Sequence, residues 1–101
     1  MARVVVSSVA DADTAAILSY LASKAGPATA IKYIALFEGL YDRLADHPDS
    51  GPRRPALGPN VRIGIVPPYI VIYDHEQAID LVTVLRIVHG RRRITGKLLG
   101  E

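Results

Sequence analysis

A run of basic side chains follows the most apolar stretch of the chain, and these side chains are the best candidates for chemistry. Residues 81–88 are apolar at both odd and even positions, which predicts a central strand covered on both faces. His89 and Gly90 end that strand, and basic residues follow at once. The cationic set on or just after the strand is Arg86, His89, Arg91, Arg92, Arg93 and Lys97.

This cationic set suits two kinds of chemistry. It could stabilise phosphoryl charge in RNA cleavage, with His89 as the general acid or base. It could equally bind acidic side chains of a protein partner, since residues 81–100 contain no acid. The simplest alternative is that the arginines only solubilise the end of a strand and that His89 makes a structural hydrogen bond. The residues by themselves leave all three open.

The composition excludes several other kinds of site. A length of 101 residues predicts one domain over residues 1–101. The chain has no cysteine, and its three histidines are isolated, so we expect no disulfide, no metal site and no cofactor. It also lacks a glycine-rich phosphate loop and a nucleophile elbow.

Hydropathy and charge set the expected compartment and partners. No apolar run approaches the roughly 20 residues that span a bilayer, and the N-terminus lacks the apolar core of a signal peptide. We therefore expect a cytoplasmic protein without membrane contacts. The net charge of +2 divides into −2 over residues 1–49 and +4 over residues 50–101. This asymmetry indicates a basic face for a polyanion or an acidic partner.

Two helices are predicted to position this face. After a first strand over residues 3–7, Asp11 or Asp13 can cap a helix over residues 14–24. Ser7, Ser8 and Asp11 are likewise interpreted as helix-capping residues rather than as a catalytic group. Gly26 and Pro27 end that helix and begin the next. The second helix carries an apolar stripe at three- and four-residue steps, and a short turn makes the two helices an antiparallel hairpin. The stripe consists of Ala30, Tyr33, Ile34, Phe37, Leu40, Tyr41 and Leu44.

Three further strands complete the predicted fold. They cover residues 61–66, 69–73 and 81–88, with short turns at residues 67–68 and 74–78 that favour an antiparallel meander. Residues 91–99 are compatible with a short helix on which Arg93 and Lys97 share a face. The prediction is an α+β fold in the order β-α-α-β-β-β with a short C-terminal helix. The helical hairpin packs on one face of a curved antiparallel sheet.

Three strings in this order of elements resemble the ParE branch of the RelE/ParE superfamily, the toxins of type II toxin–antitoxin modules. They are HPDSGPRR at residues 47–54, YIVIY at residues 69–73 and VLRIVHGRRR at residues 84–93. The resemblance covers essentially the whole chain, and the last string is the most specific. It implies a small ParD-like antitoxin encoded alongside and DNA gyrase as the poisoned target, with no catalysis by the toxin itself.

The other branch of the superfamily consists of ribosome-dependent mRNA nucleases, and this chain departs from its pattern. That pattern has an arginine beside the leading aromatic of the third strand, where this chain has Ile70. A second arginine just past the last strand could be Arg91. A tyrosine or histidine in the C-terminal segment falls near Lys97. A nuclease would have to use Arg86, His89 and Arg91, with His89 standing in as the general base.

The resemblance also sets expectations for contacts. We expect Arg86, Arg91, Arg92, Arg93 and Lys97 to form the target-binding surface, with no direct sequence-specific binding of nucleic acid. The expected antitoxin anchors, at the border between hairpin and sheet, are Tyr20, Tyr41 and Leu44. The alternatives are a RelE-like endoribonuclease and an inactive module that only binds an antitoxin.

Overall fold

A computed structural model describes residues 1–92 and 94–99, with the side chain of Lys97 left out. The chain forms strand β1 (Arg3–Val6), helices α1 (Ser8–Ala25) and α2 (Pro27–Asp46), and strands β2 (Val61–Val66), β3 (Tyr69–Glu76) and β4 (Leu81–His89). Short 3-10 turns cover Gln77–Ile79 and Gly96–Leu99. The α+β class and the element order are as predicted.

The sheet is mixed, so the prediction of an antiparallel sheet is wrong for one strand. Its order is β1-β4-β3-β2, and the last three strands form the predicted antiparallel meander. Strand β1 instead lies parallel to β4, with Arg3 opposite Leu81 and Val6 opposite Val84. Short turns fix an antiparallel pairing, whereas the helical hairpin is a connection long enough to permit a parallel one. Strand β4 is central, as its apolar sequence predicts.

Helix α1 begins at Ser8, well before the predicted start at residue 14. Ser7 is the N-cap, because its Oγ accepts a hydrogen bond of 3.0 Å from the backbone N–H of Ala10. The prediction that Asp11 or Asp13 caps this helix is therefore wrong, whereas the interpretation of Ser7 as a capping residue is confirmed. Asp13 lies in the second turn, and its carboxylate faces β4. The boundary between the helices at Gly26 and Pro27 is as predicted, and Gly26 has a φ of 94°.

Both faces of the sheet are covered. On one face, the buried stripe of α2 and part of α1 pack against β3 and β4, and this core includes Phe37, Leu40, Leu44, Tyr73 and Val84. On the other face, a second cluster joins the sheet to the loop before β2 and to residues 94–99. Its buried members are Leu57, Val61, Ile72, Val88 and Leu98. The sheet is thus the middle of three layers.

The C-terminal segment forms less helix than predicted. Its regular part is the 3-10 turn Gly96–Leu99, with the Leu98 N–H donating to the Thr95 carbonyl at 3.0 Å. A helix over residues 91–99 is therefore wrong, since Arg91 and Arg92 form a turn. Gly96 weakens helix formation at the middle of that segment. The predicted pairing of Arg93 with Lys97 involves Arg93, which lies outside the described residues.

Candidate functional site

The end of β4 presents the basic residues to solvent through a tight turn. The Gly90 N–H donates to the Pro68 carbonyl at 2.7 Å, and the Arg92 N–H donates to the His89 carbonyl at 2.9 Å. A Cβ on Gly90 would lie 3.0 Å from the Pro68 oxygen, so glycine permits this close approach. His89, Arg91 and Arg92 are all exposed. The structure therefore brings three of the predicted residues together.

His89 is held by its neighbours. Its Nδ1 accepts a hydrogen bond of 3.0 Å from the backbone N–H of Arg91, which leaves the other ring nitrogen, Nε2, to carry the proton in the neutral form. The imidazole packs edge-on against the Tyr69 ring, with centroids 5.8 Å apart. The role of His89 as a general acid or base stays a prediction, and its ring has a fixed orientation at the strand end.

Arg86 makes its contacts inside the protein. Its Nε and Nη2 donate to the two carboxylate oxygens of Asp13 at 2.8 and 3.1 Å, and its Nη1 donates to the Leu98 carbonyl at 2.9 Å. The side chain of Arg86 is 18% exposed and that of Asp13 is 17% exposed. The hydrogen bonds to Asp13 raise the pKa of Arg86, against the opposing effect of burial. That Arg86 meets a target stays a prediction, and its guanidinium is bonded to Asp13 and Leu98.

Lys97 and Arg93 complete the predicted cationic set. Lys97 has its backbone in the 3-10 turn Gly96–Leu99. Arg93 falls outside the described residues. Of the five predicted target-binding residues, the structure thus places Arg91 and Arg92 at one surface and Arg86 in an internal ion pair.

The three predicted antitoxin anchors lie in different surroundings. Tyr20 is 57% exposed. The pKa of the nearby Tyr69 hydroxyl is raised by burial first, and then by the proximity of Tyr33 and Tyr20. Tyr41 is half-buried near Asp11, and burial and then the charge of Asp11 raise the pKa of its hydroxyl to about 12. Leu44 is 1% exposed and belongs to the core, so it is not a free surface anchor. Of the three, Tyr20 is the most exposed, so their role as antitoxin anchors stays a prediction.

An apolar groove of about 220 Å³ borders α2 and β2, and Leu44 lines it from below. It is also lined by Leu40 and by the β2 residues Ile63, Gly64 and Ile65. A Cβ on Gly64 would lie 3.0 Å from a Leu40 methyl group, so this glycine lets α2 approach the strand closely. Gly64 is not among the site residues predicted above, although a glycine inside an apolar strand indicates such a close approach.

The outer edge of β2 is only partly covered. The Arg54 N–H donates to the Val61 carbonyl at 2.8 Å, and the Ile63 N–H donates to the Pro52 carbonyl at 3.1 Å. Alternate residues of an antiparallel strand direct their backbone groups to the same side. Ile65 therefore directs its N–H and C=O outward, beyond this loop, and its side chain is 51% exposed.

Two polar clusters were missed from the sequence. Asp13 was interpreted as a helix cap, although it lies between Ala10 and Ile17 on a face that packs on the core, where a charge needs a partner. His75 was placed in a turn, whereas β3 continues to Glu76 and His75 is 5% exposed. No local signal marks its two carboxylate partners, which are described below.

Comparison with known proteins assigns the class. A family model described as "ParE toxin of type II toxin-antitoxin system, parDE" matches residues 4–94, and the chain belongs to this family. It is a ParE-type toxin of a type II toxin–antitoxin system. No curated protein matches the sequence.

Two solved structures share the fold. One is the chromosomal ParDE toxin–antitoxin system from P. aeruginosa, with a TM-score of 0.72 and 23% identity over 88% of this chain and 96% of that chain. The other is the RelBE2 toxin–antitoxin complex from Mycobacterium tuberculosis, with a TM-score of 0.60 and 20% identity over 87% and 96%. Among the described residues, no helix is long and apolar enough to cross a membrane.

Proposed function

We propose that this protein inhibits DNA gyrase and that a ParD-like antitoxin, encoded alongside, neutralises it. The inhibition is a binding effect, without catalysis by the toxin. The site of action is the cytoplasm, where gyrase acts on the chromosome. The family membership supports this proposal, and the arrangement of the basic residues favours a gyrase inhibitor over an mRNA nuclease.

The contacts of Arg86 carry the proposal. A ribonuclease built from Arg86, His89 and Arg91 would need both arginines free to stabilise charge on a scissile phosphate. Arg86 already donates to both oxygens of Asp13 and to a backbone carbonyl. Charge neutralised in this way contributes little to an incoming phosphate. This supports a contact surface rather than a catalytic set.

Arg91 and Arg92 supply the proposed contact surface for the target. Both are exposed beside the Gly90 turn, at the end of the central strand. Exposed cations on a rigid turn suit long-range attraction to an acidic surface, because little chain order is lost on binding. Such a surface changes the association rate and its salt dependence.

The groove between α2 and β2 is the proposed antitoxin site. An extended segment can pair with the open backbone of Ile65 and place apolar side chains over Leu40 and Leu44. Arg43 borders the same groove and suits an acidic residue of the partner. A segment that folds on binding would bury on the order of 2,000 Å² in total, continuing over the hairpin past Tyr41.

A direct assay with purified components tests the proposal. Relaxed plasmid, gyrase and ATP are incubated with increasing toxin, and supercoiling and trapped cleaved DNA are measured. We expect loss of supercoiling, with activity restored by the product of the neighbouring gene. Ribosome-bound mRNA in a parallel translation reaction is expected to stay intact.

The same pair of assays separates the alternatives. Cleavage of mRNA at the ribosomal A site with unaffected gyrase would favour the endoribonuclease. Activity in neither assay, with tight antitoxin binding retained, would identify an inactive binding module.

A further inference from the structure

The edge of β4 changes its partner where β1 stops. The parallel ladder ends at the pair Val6–Val84, and the chain then turns into α1. Beyond that point, Ser7 and Asp13 form the hydrogen bonds with the edge of β4. The Ser7 N–H donates to the Val84 carbonyl at 3.0 Å and the Ser7 Oγ donates to the Leu85 carbonyl at 3.1 Å. The start of α1 thus satisfies backbone groups that a strand would otherwise pair.

A β-bulge lies at the same place. Arg86 is opposite Ile72, whereas Tyr73 is opposite Val84, so Leu85 is an extra residue in β4. A bulge bends its strand and redirects the side chains that follow. The Ile87 N–H donates to Asp13 Oδ2 at 3.0 Å, and the same oxygen accepts from Arg86 Nε. Asp13 therefore fixes both the bulge and the Arg86 side chain.

Arg86 joins two layers of the fold. Asp13 belongs to α1 on the helical face of the sheet, and Leu98 belongs to the cluster on the opposite face. The guanidinium bonds to both at once. A planar fork with three fixed bonds sets distance and angle more narrowly than apolar contacts, which are non-directional. Leu98 itself is 8% exposed and packs near Ile72 and Val88.

We propose that Asp13 and Arg86 are positioning residues: the pair holds the turn Gly96–Leu99 against the sheet and so fixes where Arg91 and Arg92 lie beyond the end of β4. The effect on toxicity rests on the proposed function. The placement itself does not. In this view Arg86 serves the target-binding surface without contacting the target, because Arg91 and Arg92 lie on the chain between its two attachment points, β4 and Leu98.

Hydrogen exchange tests the placement independently of activity. The Leu98 amide is bonded to Thr95, so its exchange reports whether the 3-10 turn stays closed. We expect Asp13→Asn to speed this exchange by about tenfold or more. Losing hydrogen bonds to a charged group raises the equilibrium constant for local opening by about that factor. Amides in the centre of β3 should change much less. Asp13→Glu, which keeps the charge, should restore most of the protection.

Two further variants make the result specific. Arg86→Lys keeps a cation but lacks the fork that reaches Asp13 and Leu98 together, so it should also speed exchange at Leu98. Asp11→Asn removes the same charge from an exposed position two residues earlier in α1 and should leave exchange unchanged. Growth arrest on induced expression should weaken for Asp13→Asn and Arg86→Lys, and persist for Asp11→Asn and Asp13→Glu.

Different outcomes refute different parts. Unchanged exchange at Leu98 in both Asp13→Asn and Arg86→Lys would overturn the positioning role. Faster exchange with undiminished growth arrest would overturn its link to toxicity. A wild-type protein that neither arrests growth nor inhibits gyrase would refute the proposed function, while the exchange data would still decide the placement.

Discussion

His75 Nδ1 lies 2.7 Å from Asp49 Oδ1, and this contact ties the loop after α2 to strand β3. On its other side, His75 Nε2 lies 3.0 Å from Asp80 Oδ1 in the turn before β4. A ring with a carboxylate at each nitrogen satisfies both contacts as donor only when it is protonated. Burial lowers the pKa of His75, but the hydrogen bonds with Asp80 and Asp49 outweigh it, so the pKa is raised.

This arrangement predicts that the protein is most stable at mildly acidic pH. A histidine whose folded pKa is raised contributes stability that is complete below its unfolded pKa of about 6.5 and is lost as pH rises through the folded pKa. The hydrogen bond with His75, and then the charges of His75 and Arg62, lower the pKa of Asp49 against the effect of burial. Its contribution is therefore present above its unfolded pKa and is lost as pH falls through the folded pKa.

Urea unfolding across a pH series measures the pH-dependent stability that His75 and Asp49 contribute. In the wild type the unfolding midpoint should fall from mildly acidic to mildly alkaline pH, and His75→Gln should flatten that decline. His47→Gln, at the exposed end of α2, is the matched control and should keep the wild-type slope. Parallel curves for the wild type and His75→Gln would contradict the pH linkage.

Gly51 is predicted to be intolerant of a side chain. Its N–H donates to the Tyr73 hydroxyl at 3.1 Å, and an added Cβ would lie 2.6 Å from that oxygen. Because Tyr73 is fully buried, the loop must shift and break this bond. Gly51→Ala should lower the free energy of unfolding by about 1–3 kcal/mol, the usual cost of overpacking.

The control for Gly51 has the opposite sign. Gly39 lies inside α2, where an added Cβ would meet only the Arg43 guanidinium at 3.7 Å. Gly39→Ala should raise the free energy of unfolding by about 0.5–1 kcal/mol, because alanine favours the helix. Denaturant titration of both variants checks the pair, and a stabilised Gly51→Ala would show that the loop is not packed as described.

Reversing the charge of Arg91 and Arg92 should abolish toxicity without unfolding the protein. Both residues are exposed, and exposed substitutions usually change the free energy of unfolding by within about 0.5 kcal/mol. Growth after induced expression and gyrase inhibition in vitro measure the effect of Arg91→Glu with Arg92→Glu. Residual gyrase binding should also depend less on salt.

The matched control for the double variant is Arg54→Glu, which reverses an exposed cation on the loop before β2. It should remain toxic, because it lies away from the end of β4. A folded double variant as toxic as the wild type would remove Arg91 and Arg92 from the target-binding surface.

Ile65 should matter for the antitoxin, whereas Ile79, which is more exposed, should not. Ile65→Lys places a charge at the open edge of β2 and should weaken antitoxin binding by roughly tenfold to a hundredfold, as for a central interface residue. Ile79→Lys is the control, since Ile79 is 63% exposed in the turn between β3 and β4. Titration calorimetry with purified antitoxin compares the two. Equal affinities would place the antitoxin elsewhere.

The sequence by itself determined the local elements. The boundary at Gly26 and Pro27, the apolar stripe of α2 and the three-strand meander all follow from backbone preferences and periodicity within a few residues. The string at residues 84–93 carried the family resemblance, and the family match over residues 4–94 confirms it. These features need no knowledge of what lies across the fold.

Only the tertiary structure decided the partners of the charges and of the first strand. Asp13 and Arg86 are 73 residues apart in sequence, and Asp49 and His75 are 26 apart, so neither pair leaves a local pattern. The parallel pairing of β1 with β4 likewise depends on how the hairpin crosses the sheet. Arg86 lies inside β4, and an arginine in an apolar strand has the same local sequence whether it faces solvent or a carboxylate from another element. The bulge at Leu85 and the position of Asp13 in the second turn of α1 direct Arg86 to the carboxylate.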